Sequence, residues 1–223
     1  MNHLPSFQTA RLRLRPIALQ DAPALLEMSA TRPPRQWIGY NALADMEAAE
    51  IFVEWMMMIG RKAIPDICWA VERLETPGLI GLCQFKQWDP VERVALLGYE
   101  LAQAHQGRGF MTEAVQALVW GCFQGFGLRH LDAHVHPDNA PSLRLLHRLG
   151  FIEQCVLHGE GQWDGETHDM LLFRRFAEAA QPAAEAPAAV AAPTRDGRDG
   201  QRSPTRHGRA ARSGAPAPSH AGA

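Results

Sequence analysis

The sequence predicts a mixed α/β (α+β) domain: a twisted, mostly antiparallel sheet of about six to seven strands, with a parallel central pair and flanking helices. Three observations predict it. Apolar, strand-like runs follow one another between Ile67 and Leu101 with turn residues between them, as in a meander of hairpins. From Val94 onward a strand, a helix, a second strand and a second helix alternate, which is a crossover unit and demands parallel pairing. The chain has 223 residues and is 46% hydrophobic, enough to bury one sizeable core once the C-terminal forty or so residues are set aside.

Taken in order, Arg11 to Pro16 alternates arginine and leucine with period two, so Leu12 and Leu14 face inward on a half-buried opening strand. Asp21 is placed to cap a short helix through Met28, with Pro23 tolerated in the first turn. Thr31 to Ala42 holds Pro33 and Pro34 and reads as a loop. Asp45 to Ile59 puts Met46, Ala49, Val53, Met56 and Met57 on one helical face, with Gly60 as the stop and methionine as core filler. Ile67–Val71, Leu79–Phe85 and Val94–Leu101 are strands, the first two joined through Thr76-Pro77-Gly78. Met111, Ala114, Val115, Leu118, Val119 and Cys122 form one buried helical stripe that ends at Gly125 and Gly127. Leu131, Ala133 and Val135 alternate as a strand, Asn139 caps a second helix that finishes at Leu149-Gly150, and Phe151–Leu157 and Asp169–Phe173 are the last strands.

Residues 1–177 therefore form the expected domain, and 178–223 are expected to be a disordered tail rich in Ala, Pro, Gly and Arg. Val190 is the only branched or aromatic apolar residue beyond Gln181, so the tail cannot bury enough surface to offset its ordering entropy. The formal charge of -2 hides an asymmetry: residues 181–223 carry six arginines against Glu185, Asp196 and Asp199, which leaves the rest near -5. That excludes a global basic footprint for direct nucleic-acid binding. Cys68, Cys83, Cys122 and Cys155 are widely spaced, with no zinc or C-x-x-C pattern, and fit reduced thiols. The opening residues hold no apolar signal core and no stretch is long enough to span a membrane, so a soluble, cytoplasmic protein is expected, as monomer or homodimer.

Chemistry is concentrated between Gly98 and Val119. There an apolar strand passes through a loop holding Gly107 and Gly109 into an amphipathic helix, whose first N–H groups are free to meet an anion. Glycines let the backbone approach a diphosphate closely and adopt positive φ, and the helix adds its positive dipole end. Arg108 supplies a nearby charge. A dinucleotide-binding turn fails in detail, although Asp132 lies downstream, because Thr112 occupies the third glycine position and the segment comes after several hairpin strands. No G-x-x-x-x-G-K-[ST] run occurs.

The run Gln106-Gly107-Arg108-Gly109-Phe110-Met111, followed by Thr112-Glu113-Ala114, resembles the acetyl-CoA pyrophosphate motif of the GNAT superfamily of N-acetyltransferases, Q/R-x-x-G-x-G/A. Asn139, Ser142 and Leu149-Gly150-Phe151 resemble the N-x-x-S...L-G-F signature that follows it. The opening TARLRLRPI, the pair Gly98-Tyr99 and the closing Gly161–Phe173 segment also match, so the resemblance covers roughly residues 8 to 176. Met111 stands where the wider superfamily prefers Gly or Ala. That suits the branch acetylating the N-terminal alanine of ribosomal proteins, which the chain resembles most.

The resemblance implies acetyl-CoA as co-substrate, with no metal. It implies that the pantetheine arm pairs with the splayed strand end Tyr99–Ala102, that a backbone N–H there, for which Leu101 is chosen, holds the acetyl oxygen, that Gln106, Gly107, Arg108, Gly109, Phe110 and Met111 hold the diphosphate, and that the Asn139 amide binds the pantetheine. Ser142 is the candidate proton donor to the departing sulfur; its plainer role is at a helix start after an Asn cap. Three candidates stand for the base: Glu100 on the strand facing the acetyl group, Glu160 in the loop before the last strand, and His134 with His136 on one face of the strand before the second helix. Glu100 is preferred, because a peptide α-amine has a reference pKa of about 7.7–8.0 and a carboxylate acting through water suffices. His134-x-His136 lacks a third ligand for a metal. No nucleophile signature occurs, so direct transfer in a ternary complex is expected.

Three functions compete: acetylation of a protein N-terminus, acetylation of a small amine such as a polyamine, amino acid or aminoglycoside, and acyl-CoA binding by a regulatory module without turnover. The resemblance puts the Thr31–Ala42 loop, the Met-rich helix and the Glu160–Glu166 loop around the acceptor, and none of them carries a readable code.

Overall fold

The computed structural model describes residues 4–31, 42–59, 66–163, 165–177 and 189–190. The strands are β1 (Ser6–Gln8), β2 (Leu12–Pro16), β3 (Ile67–Arg73), β4 (Leu79–Asp89), β5 (Val94–Leu101), β6 (His130–Val135), β7 (Ile152–Trp163), β8 (Glu166–Phe176) and the two-residue β9 (Ala189–Val190). The helices are α1 (Ala22–Ala30), α2 (Met46–Ile59), α3 (Phe110–Gln124) and α4 (Ala140–Arg148). One sheet runs β7-β8-β6-β5-β4-β3-β2-β1-β9. Every neighbouring pair is antiparallel except β5 and β6, which are parallel as the crossover through α3 requires.

Side-chain alternation on the strands splits the interior in two. Ile67, Trp69 and Val71 of β3 enter the larger core with Leu12, Leu14, Phe85 and the buried stripe of α3, while Cys68 and Ala70 enter the smaller core under α1 and α2. Both faces of β3 are thus covered, which is why Ile67–Val71 is a continuous apolar run instead of an alternating one. Trp69, Phe85 and Phe126 meet edge-on in the larger core.

The expected strand and helix order is present, with four differences. β1 was not anticipated, because three residues carry no periodicity; it is held by Phe7, whose ring fills the space beside Gly121, where a Cβ would come within 2.4 Å of it. Asp21 does not cap α1. Its carboxylate takes both Arg15 terminal nitrogens at 2.8 and 2.7 Å and the Ala18 N–H at 2.9 Å, a buried arrangement that Glu72 extends across the sheet. On α2, Ala49, Val53 and Met56 are buried, whereas Met46, Met57 and Met58 stand exposed. Asp45 Oδ1 caps that helix through the Ala48 N–H at 2.9 Å. Glu160–Trp163 is the end of β7, paired with β8 from Glu166 on, and not part of a loop: register shifts absorb the glycines that look like loop residues, and Asp169 accepts the Gly159 N–H at 2.9 Å. So Glu160 lies on a strand.

Residues 32–41 of the proline loop, Gly60 and Asp164 lie outside the described residues, as does all of 178–223 except β9, which pairs with β1 through Ser6↔Val190 and Phe7↔Ala189. Among the described residues no helix is long and apolar enough to cross a membrane. The four cysteines are free, with Cys155 alone exposed.

Candidate functional site

The glycine loop enters α3 in an open conformation. Gly107 and Gly109 have φ of +74° and +75°, the left-handed region that an L side chain adopts with strain. A Cβ at Gly107 would meet nothing within 4 Å, and one at Gly109 only the Arg11 guanidinium at 3.7 Å, so the space in front of the loop is clear of protein. Gly109 is the N-cap and offers no side chain to the helix; the first intrahelical bond, Glu113 N–H to the Gly109 carbonyl at 3.1 Å, leaves the preceding N–H groups for another acceptor.

A scaffold of polar contacts keeps the loop in place. Glu113 accepts the Arg11 N–H at 2.9 Å, Arg11 Nε at 2.6 Å and the Thr9 hydroxyl at 2.5 Å, while Arg11 Nη1 donates to the Arg108 carbonyl at 3.2 Å. Partial burial opposes ionisation of Glu113, but these donors outweigh it and hold its carboxyl below the usual range. The Arg11 and Arg73 guanidinium carbons lie 4.6 and 5.5 Å from the Phe110 ring centre. Gln106 Nε2 donates to the Leu101 carbonyl at 2.9 Å, closing the turn between β5 and α3.

Strand pairing opens the sheet beside this loop. The Ala102 N–H bonds the Ile80 carbonyl at 2.9 Å, so by antiparallel alternation Leu82↔Glu100 is a hydrogen-bonded pair, and the backbone groups of Tyr99 and Leu101 point away from β4. On that side β6 pairs with β5 only as far as Leu96↔Asp132, although β5 continues to Leu101. The Tyr99 and Leu101 N–H groups therefore face a gap between diverging strands.

The gap and the loop belong to one cleft of about 560 Å³, lined by Tyr99, Glu100, Leu101, Gln106, Gly107, Gly109, Phe110, Met111, Asn139 and Ser142 among the residues expected from sequence. Ala102, Arg108 and Glu160 do not line it. The Ala102 N–H is taken by Ile80, and the Arg108 carbonyl is tied to Arg11. Asn139 Oδ1 accepts the Ser142 N–H at 3.2 Å, which leaves the Asn139 amide NH₂ for another partner. The Tyr99 hydroxyl is buried without a hydrogen-bond partner; burial pushes the phenol up, and the nearby Ser142 hydroxyl, outside hydrogen-bond geometry, offsets this only in part. Met111 is mostly core, with its sulfur 3.7 Å from the Cys83 thiol.

Thr112, which follows the glycine motif, also lines the cleft, as do Pro141, Arg144, Leu145 and Arg148, which the sequence reading does not single out. The last four fall at i, i+3, i+4 and i+7 on α4, a legible stripe, yet nothing in the sequence says which stripe of so short a helix meets a cleft.

Of the base candidates Glu100 borders the cleft, and strand alternation turns its side chain to the face opposite Tyr99. Glu100 shares its face with Leu96, and the parallel pair Leu96↔Asp132 puts Asp132 and His134 there too. Burial lowers the His134 pKa and favours the neutral ring, with Glu160 and Asp132 partly opposing it; its Nδ1 is buried without a partner. Glu160 thus lies within electrostatic reach of His134 from β7. Asp132 itself is bound by Arg174 at 2.7 Å through both oxygens, which disposes of the ribose-binding role a dinucleotide turn would need. Among the described residues no group of three His, Cys, Asp or Glu could hold a metal ion.

The acetyltransferase (GNAT) domain family matches residues 11–152. An uncharacterised N-acetyltransferase of Bacillus subtilis, YoaA, is 30% identical over 169 residues, covering 76% of this chain and 95% of its own. The structure of a putative ribosomal-protein-serine acetyltransferase from Vibrio cholerae superposes with a TM-score of 0.70 at 25% identity, over 79% of this chain and 100% of that one. RimL, a ribosomal L7/L12 α-N-protein acetyltransferase solved with coenzyme A, shares the fold with a TM-score of 0.70 at 18% identity, over 78% and 99% of the two chains.

Proposed function

This chain belongs to the GNAT acetyltransferase family, and from that premise we propose that it transfers acetyl from acetyl-CoA to a protein N-terminal α-amine, directly within a ternary complex. The observation that carries the reading is the single cleft that joins a positive-φ glycine loop at the α3 N-terminus to unpaired backbone at the end of β5. The residues suit the co-substrate: open space before Gly107 and Gly109 for a diphosphate, a free Asn139 amide for an amide of the pantetheine arm, and a buried Tyr99 hydroxyl that lacks a partner.

When bound, acetyl-CoA supplies an activated thioester. The α3 N–H groups hold its diphosphate, and the Tyr99–Leu101 backbone aligns the arm as an added strand. The Leu101 N–H polarises the acetyl carbonyl. Glu100, on the opposite face, takes the amine proton, through a water if needed, as the new C–N bond forms. Ser142 protonates the sulfur as the C–S bond breaks, and solvent carries the proton from Glu100 back to Ser142. Glu160 and His134 border the acceptor side. The acceptor reading rests on the names of the RimL and Vibrio cholerae relatives.

The test is CoA release with a panel of N-terminal peptides and small amines. Release with peptides alone supports the proposal; release with small amines alone, or tight cofactor binding without release, contradicts it. Parallel double-reciprocal lines, or an acetylated enzyme trapped without acceptor, would contradict direct transfer.

A further inference from the structure

We infer that the Tyr99 hydroxyl is a positioning group for Ser142: it donates to Ser142 Oγ and so turns the serine's own proton into the cleft, toward the departing sulfur. The inference rests on the proposed role of Ser142 as proton donor and adds the group that orients it. The two side chains line the same cleft, and the Tyr99 hydroxyl is buried there without a hydrogen-bond partner. An enclosed hydroxyl left in this state is destabilising, which favours any neighbour able to accept its proton. Cys83 stands opposite Tyr99 across β4 and β5, but its thiol is turned to the Met111 sulfur at 3.7 Å, and sulfur is a weak acceptor. The other neighbour is the Ser142 hydroxyl, which works against the effect of burial on the phenol while standing outside hydrogen-bond geometry. Rotation of the serine about χ1 brings its oxygen to the phenol.

The chain fixes everything about Ser142 except that rotation. Asn139 Oδ1 holds its backbone N–H at 3.2 Å in the first turn of α4, and among the described residues its hydroxyl has no hydrogen bond. Two hydroxyls side by side can bond in either direction, and acidity decides which. A phenol, with a reference pKa of about 10, is a far stronger acid than an aliphatic alcohol, so tyrosine donates and serine accepts. Burial pushes the phenol higher still, which keeps Tyr99 protonated and therefore a donor throughout the neutral range. Once its oxygen accepts from Tyr99, Ser142 has one proton to give, and the open direction is the cleft. That proton passes to the sulfur as the C–S bond breaks. The Tyr99 bond stabilises the negative charge left on the Ser142 oxygen until solvent returns a proton, and Tyr99 keeps its own throughout.

The experiment has two arms, both on the full chain. The first is NMR of protein labelled with carbon-13 at tyrosine Cζ, with coenzyme A present. The sequence holds two tyrosines, so the signal missing from Tyr99→Phe, or the one surviving in Tyr40→Phe should Tyr99→Phe fail to fold, belongs to Tyr99. It is expected to move in Ser142→Ala and to stay in place in Ser142→Thr, which keeps the hydroxyl. The second arm is CoA release from acetyl-CoA with an acceptor. Tyr99→Phe should lower kcat about tenfold, the worth of one hydrogen bond, with KM for acetyl-CoA within about twofold and a melting temperature no lower than wild type. In a Ser142→Ala background the same substitution should cost nothing further. A Tyr99 signal that ignores Ser142→Ala, an unchanged kcat in Tyr99→Phe, or an equal loss with and without Ser142 overturns the inference. A raised KM at unchanged kcat overturns it too, by assigning the hydroxyl to the cofactor itself. If wild type binds coenzyme A but releases none from acetyl-CoA with any acceptor, the transfer reading fails, and the NMR arm still decides whether Tyr99 bonds Ser142.

Discussion

Glu113 in the first turn of α3 holds both the backbone N–H and the Nε of Arg11 at the head of β2, across 102 residues of sequence. With the Arg11 bond to the Arg108 carbonyl, this pair fixes the glycine loop against the sheet. Glu113→Gln should lower stability by about 1–3 kcal/mol, the range for losing charge-assisted bonds at a partly buried site, seen as a melting shift of roughly 2–4 °C per kcal/mol. It should also raise KM for acetyl-CoA more than it lowers kcat. Because the folded pKa of Glu113 is depressed, its contribution is present above the unfolded value of 4.5 and is lost as pH falls through the folded one. Denaturation curves of wild type and Glu113→Gln should therefore converge in acid. Curves that stay parallel below pH 4.5 would remove the carboxylate from the account.

Asn139 is given two jobs that one substitution separates. Asn139→Asp keeps the oxygen that caps the Ser142 N–H but lacks the amide donor, so stability should hold while acetyl-CoA affinity falls about tenfold or more. Asn139→Ala should lose both, with about 1 kcal/mol from the cap. If Asn139→Asp binds acetyl-CoA as wild type does, Asn139 is a cap and nothing else.

Glu100→Gln should cut kcat by about 10²–10⁴-fold, the range for a general base, with KM for acetyl-CoA little changed. Glu160→Gln and His134→Gln should each change kcat much less. If Glu160→Gln shows the larger loss, the base is Glu160 and Glu100 only frames the cleft.

His134 also carries a stability signature. Burial keeps its folded pKa below the reference value of 6.5, so the unfolded chain binds the proton more readily. Stability is then lost as pH falls from above 6.5 through the folded pKa. His134→Gln should flatten that part of the pH–stability curve; an unaltered slope would mean the ring is not held neutral.

The hairpin meander, the parallel β5–β6 pair and the glycine loop were legible because period-two strands, Thr76-Pro77-Gly78 and the stripe from Met111 to Cys122 each signal one structure locally. What was not legible depends on partners distant in sequence. Phe7 makes β1 a strand only because Gly121 leaves room for its ring. Asp21 has the form of a cap but is drawn into the Arg15 pair. Gly159 and Gly161 look like loop residues, yet bulges and Asp169 keep them in β7. In the cleft the sequence identified loop, cap and strand end, while Arg144 and Arg148 emerged only once α4 was oriented. The even-numbered alternation that turns Glu100 to the opposite face from Tyr99 was visible in principle; which face meets the acceptor was not.

Replacing Gly109, at φ +75°, by valine puts a β-branched side chain into a strained conformation and into the space kept for the diphosphate. Melting should shift by only a few degrees, since a Cβ meets no protein atom nearer than 3.7 Å.

Acetyl transfer to defined peptides tests the central claim most directly. Purified full-length chain is incubated with acetyl-CoA and matched peptides that have a free or a blocked N-terminus, alongside spermidine and free amino acids, and the products are identified by mass spectrometry. Acetylation at the α-amine of the free peptide alone, abolished by Gly109→Val, is the predicted result. Acetylation of spermidine or free amino acids with the peptides untouched, or full activity in Gly109→Val, would contradict it.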